Sequence, residues 1–301
     1  MQILITGGTG TIGRRLIKRT SEQHRYTVLT RDQEKAARLL PDSVTLISKL
    51  SQIEDFGQFD AVINLAGEPI ADKRWTDAQR KRICNSRWDI TRELTSRFTS
   101  CSNPPGVFLS GSAIGYYGRQ GQSIVTEDEH QVSEEFTHTV CRKWEKLALD
   151  ANHVTRVCVM RTGVVMAKDE GALGKMTLPF KLGLGGKISD GEQFFSWIHV
   201  DDMVSGIVFL LEHEECEGPF NLTAPEPVTN KTFTDTLASV LHRPAIFTVP
   251  GMVLQLAMGD AADMLLTGQN VLPARLTEAG FSFEYPQLRQ ALEQELGSAL
   301  T

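Results

Sequence analysis

The residues with the most chemistry to offer open the chain. Thr6-Gly7-Gly8-Thr9-Gly10-Thr11-Ile12-Gly13 follows a short apolar run, Ile3–Thr6, and leads into a helix-length stretch, Ile12–Thr20. The glycines at 7, 10 and 13 each have a task. Gly7 permits a tight turn, Gly10 lets the backbone approach a bound anion without a Cβ in the way, and Gly13 lets the helix pack closely on the sheet. A helix starting there aims unpaired N–H groups and its positive dipole end at the bound group. The chemistry is that of holding a pyrophosphate, with Thr9, Thr11 and Ile12 completing the cradle. The competing reading is an ordinary glycine-rich turn, which the strand–loop–helix order at this point argues against.

A dinucleotide site must also grip a ribose at the end of the second strand. An acidic residue there suits a free 2′-hydroxyl, as in NAD. This chain has Thr30 followed by Arg31. A hydroxyl beside a guanidinium suits a 2′-phosphate, because arginine binds phosphate in bidentate fashion. NADP(H) is therefore the expected cofactor. Asp32 is the rival, but it falls one position late and reads as the N-cap of a helix over Gln33–Leu40.

Positioning such a cradle takes a sheet, and the first half supplies one. Ile3–Thr6, Thr27–Thr30, Val44–Ile47, Ala61–Leu65 and Val107–Ser110 are short β-rich runs, and Ile12–Thr20 and Thr76–Thr99 are helix-length segments between them. A helix near 134–150 and a strand at Thr155–Arg161 continue the alternation. Short continuous apolar strands fit a parallel sheet covered on both faces, so the fold class is α/β, a Rossmann-type doubly wound sheet. After Thr162 the texture changes, with a glycine-rich stretch from Gly171 to Gly191 and proline breaks at 224–227 and 249–251. The expected organisation is a nucleotide-binding domain over 1–162, a smaller substrate lobe over 163–248 and a C-terminal segment over 249–301.

The 301 residues carry a formal net charge of −6. That balance argues against a general nucleic-acid or anionic-membrane binder, both of which need a basic surface. The five cysteines are odd in number and widely spaced, with no C-x-x-C, so neither a disulfide framework nor a metal site is expected. His213 and Cys216 lack a second ligand pair. Gln2–Thr6 already reads as a core strand, and no apolar run approaches the roughly 18 residues of a membrane span. A cytoplasmic protein acting on a small molecule is the expectation, with no inference about its oligomeric state.

With these residues in place the chain resembles the extended short-chain dehydrogenase/reductase superfamily, and within it the epimerase-like YfcH branch related to sugar-nucleotide epimerases. Thr6–Gly13 matches the family's glycine loop. Asp60–Gly67 matches the fourth-strand segment, whose end, Leu65-Ala66-Gly67, would line the adenine and ribose side. Ser110-Gly111-Ser112-Ala113 with Tyr117-Gly118 resembles the serine-bearing fifth strand, and 161–165 and 197–202 resemble segments that frame the substrate lobe. Arg74-Trp75, Ser86-Arg87, 179–186 and the segment from about Pro250 mark the branch. The resemblance implies hydride transfer or epimerisation on a hydroxyl-bearing substrate, a nucleotide sugar among the candidates.

One departure matters. The family places Y-x-x-x-K on the helix after the serine strand, the tyrosine handling a proton and the lysine lowering its pKa. Here that helix reads Phe136-Thr137-His138-Thr139-Val140-Cys141-Arg142-Lys143-Trp144-Glu145. Anchored on Glu145, the two positions hold Thr137 and Cys141; shifted by two residues they hold Thr139 and Lys143. Neither register has a phenol. Ser112 and Tyr117 are the expected catalytic residues, with Tyr116 and His138 as further substitutes. Each also has a plain structural reading, as a packing aromatic, a surface histidine or a strand-end cap. Arg87 would place a guanidinium against the cofactor, while Arg74, Arg80, Lys81 and Arg82 read as a solvated helix face. Glu127-Asp128-Glu129 reads as a solvated acidic loop, and Asp201 or Asp202 as a helix N-cap. The missing pair leaves a second expectation open: an NADP(H)-binding sensor or scaffold without turnover.

Overall fold

The computed structural model describes residues 1–168 and 170–297. The apolar runs become one parallel sheet: β1 (Gln2–Thr6), β2 (Arg25–Leu29), β3 (Thr45–Ile47), β4 (Ala61–Asn64), β5 (Val107–Ala113), β6 (Arg156–Thr162) and β7 (Gly218–Leu222). Their order is β7-β6-β5-β4-β1-β2-β3. The helices are α1 (Thr11–Thr20), α2 (Gln33–Leu39), α3 (Asp77–Ser100), α4 (Phe136–Leu149), α5 (Gly171–Lys181), α6 (Val200–Glu212), α7 (Asn230–Leu241), α8 (Gly251–Met258), α9 (Asp263–Leu266), α10 (Ala274–Glu278) and α11 (Leu288–Leu296).

The sheet is covered on both faces, and the strand period of two assigns the layers. Ile3, Ile5, Ile63 and Leu109 face one way, onto Leu16 and Ile17 of α1 and Met203, Ile207 and Leu210 of α6. Leu4, Val62, Phe108 and Val159 face the other, onto Leu94 and Phe98 of α3 and Ala148 of α4. All four residues of β4 are buried, which is why the run reads as continuously apolar. Strand order reverses between β1 and β4. The chain leaves β1 for α1 on one face and β4 for α3 on the other, and between such carboxyl ends open α/β sheets place their ligand crevice. Below it the Thr6 hydroxyl donates to Asn64 Oδ1 at 2.6 Å, and Asn64 Nδ2 donates to Thr91 Oγ1 at 2.8 Å.

Residues 163–248 do not stand apart from the nucleotide-binding half. α6 covers the central sheet and β7 extends it, pairing with β6 from Gly218↔Cys158 to Leu222↔Thr162. The lobe proper has its own core, in which Trp197, Phe233 and Leu237 meet Leu288 and Leu292 of α11. The glycine-rich stretch contains α5, with Pro179 in its last turn, and a short strand at Gly186–Ile188 paired with Phe247–Val249. Its apolar spacing is too irregular to announce a helix in sequence. Asp201 and Asp202 were expected as N-caps, but His199 caps α6, its Nδ1 accepting from Asp201 N at 3.1 Å. Asp201 instead forms a two-point pair with Arg15 of α1, 2.7 Å for each bond, and Asp202 accepts from the backbone N–H groups of Glu284 and Tyr285. Among the described residues no helix is long and apolar enough to cross a membrane.

Gly7 has φ of +70°, and a Cβ there would lie 2.6 Å from the Leu65 carbonyl carbon and oxygen. Gly7→Ala is therefore expected to lower the urea-denaturation free energy by about 1–3 kcal/mol. An unchanged midpoint and slope would show that the β1–α1 turn relaxes without cost.

Candidate active site

The cradle is built from backbone. Gly10 caps α1 with φ −75° and ψ 171° and no side-chain hydrogen bond, so the first N–H groups of the helix stay available to an anion. The Gly10 N–H itself folds back onto the Gly7 carbonyl at 3.0 Å. A Cβ on Gly13 would come 2.6 Å from Gly8 Cα, whereas one on Gly10 would meet only the Gly7 oxygen, at 3.3 Å. The space before Gly10 and Thr11 is open and the turn behind it is closed. Thr9, Thr11 and Ile12 are part-exposed around that opening, and Leu65, Ala66 and Gly67 form the opposite bank, Leu65 in contact with Gly7.

Arg87 lies behind this bank. Its Nη1 donates to the carbonyls of Glu68 at 3.0 Å and Ile83 at 3.1 Å. Its guanidinium occupies the space that a Gly67 side chain would need, and lies 5.2 Å from the Trp144 ring centre. Burial lowers its pKa below the ordinary arginine value. Arg87 thus braces the loop through Nη1, while Nε and Nη2 make no hydrogen bond among the described residues. At the end of β2, Asp32 caps α2, accepting from Lys35 N at 2.9 Å. The Thr30 hydroxyl donates to the Asp32 carbonyl at 3.2 Å in a local turn. Arg31 is exposed and forms no ion pair among the described residues. Of the three, it is the group with unspent charge.

The side-chain wall is a buried network. Glu145 of α4 receives Arg161 of β6 in two-point geometry, Nε to Oε1 at 3.0 Å and Nη2 to Oε2 at 2.9 Å. The Ser112 hydroxyl donates to Glu145 Oε1 at 2.6 Å. Arg161 Nη1 donates to the Tyr117 hydroxyl at 3.0 Å, which donates on to Asn221 Oδ1 at 2.7 Å. The Tyr117 side chain is 0 % exposed, and burial pushes its phenol up to about 12, against the opposing pull of Arg161. Ser112 and Tyr117 thus share one network, with both hydroxyls committed to protein partners. Tyr116 differs: the Arg161 guanidinium lies 3.6 Å from its ring centre, the residue is part-exposed, and its hydroxyl has no partner among the described residues.

In the register anchored on Glu145 the missing pair falls on Thr137 and Cys141, and in the register shifted by two on Thr139 and Lys143. Thr137 packs on the loop after β5, where a Cβ on Gly115 would come within 3.0 Å of it. Cys141 is buried among Ala113, Ser112 and Arg87, and its thiol is pushed up to about 12, burial being the main cause. His138 is not at the surface, as its place on the helix suggested. It is buried, and its Nδ1 is bonded to the Tyr116 carbonyl.

Two further readings are corrected. Glu127 is no solvated acid: it is 6 % exposed and accepts from Asn221 N at 2.8 Å, with burial raising its pKa. Arg80 is not a solvated face either, since it stacks over Phe136 at 4.5 Å and pairs with Asp260 at 2.6 Å. That pair belongs to a belt by which the C-terminal segment crosses the site. Arg119 pairs with Asp263 at 2.7 Å, Gln269 Nε2 donates to the Gly118 carbonyl at 2.8 Å, and Asn270-Val271 pairs with Ile124-Val125. The Glu145–Arg161 pair, the Asn221 link and this belt all join residues far apart in the chain, and no local spacing announces them.

Tyr117→Phe is expected to cost about 1–3 kcal/mol at neutral pH, because Asn221 Oδ1 and Arg161 Nη1 lose their partner inside the protein. A phenol raised from 10.0 to about 12 on folding contributes stability that is complete below pH 10 and is lost as the pH rises through 12. The gap between wild type and Tyr117→Phe in denaturation midpoint should therefore narrow across that window. A gap constant from pH 8 to 12 would contradict the assignment.

Comparison with known proteins agrees with this geometry. Residues 3–223 match the NAD dependent epimerase/dehydratase family, and residues 249–295 match a domain of unknown function, DUF1731. An epimerase family protein of Arabidopsis thaliana, an SDR39U1 homolog described as chloroplastic, is 38 % identical over 299 residues, covering 97 % of this chain and 86 % of its own. An epimerase family protein of Staphylococcus epidermidis is 37 % identical, covering 96 % and 97 %. Among solved structures, the human epimerase family protein SDR39U1 with NADPH superposes with a TM-score of 0.90 at 33 % identity, over 99 % of both chains. A nucleoside-diphosphate sugar epimerase of Corynebacterium glutamicum superposes with a TM-score of 0.78 at 27 % identity, covering 99 % of this chain and 58 % of its own. On the extent of these matches, the chain belongs to the NAD dependent epimerase/dehydratase family and carries the DUF1731 domain at its C-terminal end.

Proposed function

We propose that this chain binds NADP(H) across the crevice between β1 and β4 and uses it in an oxidoreductase or epimerase reaction on a hydroxyl-bearing small molecule. The observation that carries the reading is the uncapped start of α1 at Gly10–Thr11, with the exposed Arg31 at the end of the neighbouring strand. The helix start suits a pyrophosphate, and the free guanidinium suits a 2′-phosphate. The human relative's structure with NADPH supports the same choice. Bound there, the cofactor would supply the hydride chemistry. The chain's own contribution is to hold the ribose against Leu65–Gly67 with Arg87 behind it, and to handle a proton at the wall.

Tyr116 is our candidate for that proton. Its hydroxyl is uncommitted, and its ring lies against a guanidinium that the Glu145 pair holds in place. Ser112 and Tyr117 would then position the wall rather than meet the substrate. A second reading, a cofactor-responsive module without turnover, is favoured by the buried thiol of Cys141 and the packed Thr137 where the family's lysine and tyrosine would stand.

A fluorescence titration with NADPH and NADH tests the binding claim. We expect at least a tenfold preference for NADPH, about 1.4 kcal/mol, and loss of that preference in Arg31→Ala with NADH affinity unchanged. Equal affinity for both cofactors in the wild type would refute the role of Arg31. Stereospecifically deuterated NADPH incubated with pooled metabolite extract separates the two functions. Label loss that Tyr116→Phe abolishes, without weaker NADPH binding, supports the enzyme, whereas full retention across extracts supports the non-catalytic module.

A further inference from the structure

Away from the cofactor crevice, the lobe holds a cavity of about 210 Å³. Its walls come from three stretches distant in sequence. Phe180 projects from α5, Phe194 and Phe195 form a two-residue strand paired with Val228–Thr229, and Phe233 comes from α7. The C-terminal segment closes it with Leu254 of α8 and Leu265 of α9. Among the described residues no charged side chain lines it. A sugar diphosphate or carboxylate would leave water for a wall with no cation to receive it, at a heavy desolvation cost.

Four polar residues interrupt the apolar lining, Gln193, Asn230, Thr234 and Thr267; Asn230 Oδ1 accepts from the Ile188 N–H and the Thr267 hydroxyl donates to the Asp263 carbonyl. Gln193 donates through Nε2 to the carbonyls of Ile188 at 3.2 Å and Leu265 at 2.9 Å. Two carbonyl acceptors on one end fix which end of the amide is nitrogen. Its Oε1 is shut off from solvent and has no partner among the described residues. A buried acceptor left unpaired is costly, and a ligand donor would relieve that cost. The cavity lip is apolar too. Leu184, which lines it, is 58 % exposed.

From the cavity, its chargeless lining and the orphaned Gln193 oxygen, we infer a binding site for an uncharged, mainly apolar ligand with one O–H or N–H donor. An engineered apolar cavity near 150 Å³ admits benzene, so this one admits roughly eight to ten non-hydrogen atoms. The unpaired Gln193 oxygen sets orientation and the apolar walls supply affinity, the usual division of labour in small-molecule pockets. The inference rests on the lobe alone and does not depend on hydride transfer.

The test uses the full chain and four probes, 2-phenylethanol, ethylbenzene, phenylacetate and UDP-glucose, followed by ligand-observed NMR titration. We expect saturable binding of 2-phenylethanol, at least tenfold weaker binding of phenylacetate, and no displacement by UDP-glucose. In Gln193→Leu the preference for 2-phenylethanol over ethylbenzene should fall at least threefold. Leu254→Trp, which fills the cavity and keeps the Gln193 contacts, should abolish binding of both. Absence of saturable binding, phenylacetate binding as tightly as the alcohol, displacement by UDP-glucose, or binding unchanged in Leu254→Trp would each overturn the site. NADPH titration of the same samples confirms that each variant is folded, and it keeps failure of this site distinct from failure of the cofactor reading.

Discussion

A guanidinium and a carboxylate locked together in the interior, Arg161 and Glu145, set the terms for everything around them. Taking two charges out of water costs several kcal/mol for each ion, and only good geometry with full hydrogen bonding offsets it. Here two parallel bonds join the pair, Ser112 supplies a further donor to the carboxylate, and the Tyr117 hydroxyl takes up the remaining guanidinium nitrogen. β5, α4, β6 and, through Asn221, β7 are thereby fixed to one another. The same pair gives the Ser112 and Tyr117 hydroxyls their partners inside the protein.

The two halves of the site therefore rest on different physics. The cofactor cradle is backbone geometry: a positive φ at Gly7, a close approach at Gly13 and an uncapped helix start. Such a device survives wide changes in the side chains around it. The opposite wall is side-chain chemistry: the Glu145–Arg161 pair with Ser112 and Tyr117, and Tyr116 against the Arg161 guanidinium.

This contrast also explains what could be read from the sequence. The strands, the glycine loop, the Asp32 cap and α3 were legible because each is local: an apolar run, a glycine spacing, a capping side chain three residues before its partner. Glu127 was not, since an acidic triplet looks solvated until Asn221, 94 residues away, donates to it. Arg80 belonged to a basic run and gave no sign of Asp260. Asp201 and Asp202 sat at a helix start where a simple cap accounted for either, yet Asp201 pairs with Arg15 and Asp202 anchors the backbone of Glu284 and Tyr285. Pairings between distant segments leave no period in the sequence.

The arrival of β7 at the sheet edge has a temporal side. β6 is an almost wholly buried strand in the finished protein, and its outer partner, Gly218–Leu222, lies sixty residues further on. At synthesis rates of about 5–20 residues per second, roughly 3–12 s pass during which the edge of β6 has no neighbour. Asn221 arrives on the same strand, so the Tyr117 hydroxyl also waits for its acceptor. A nascent chain halted between these points would present an open, apolar parallel edge, the kind of surface that pairs with other chains. Completion of the sheet, rather than of the cofactor cradle, is thus the late and aggregation-exposed step in the birth of this protein.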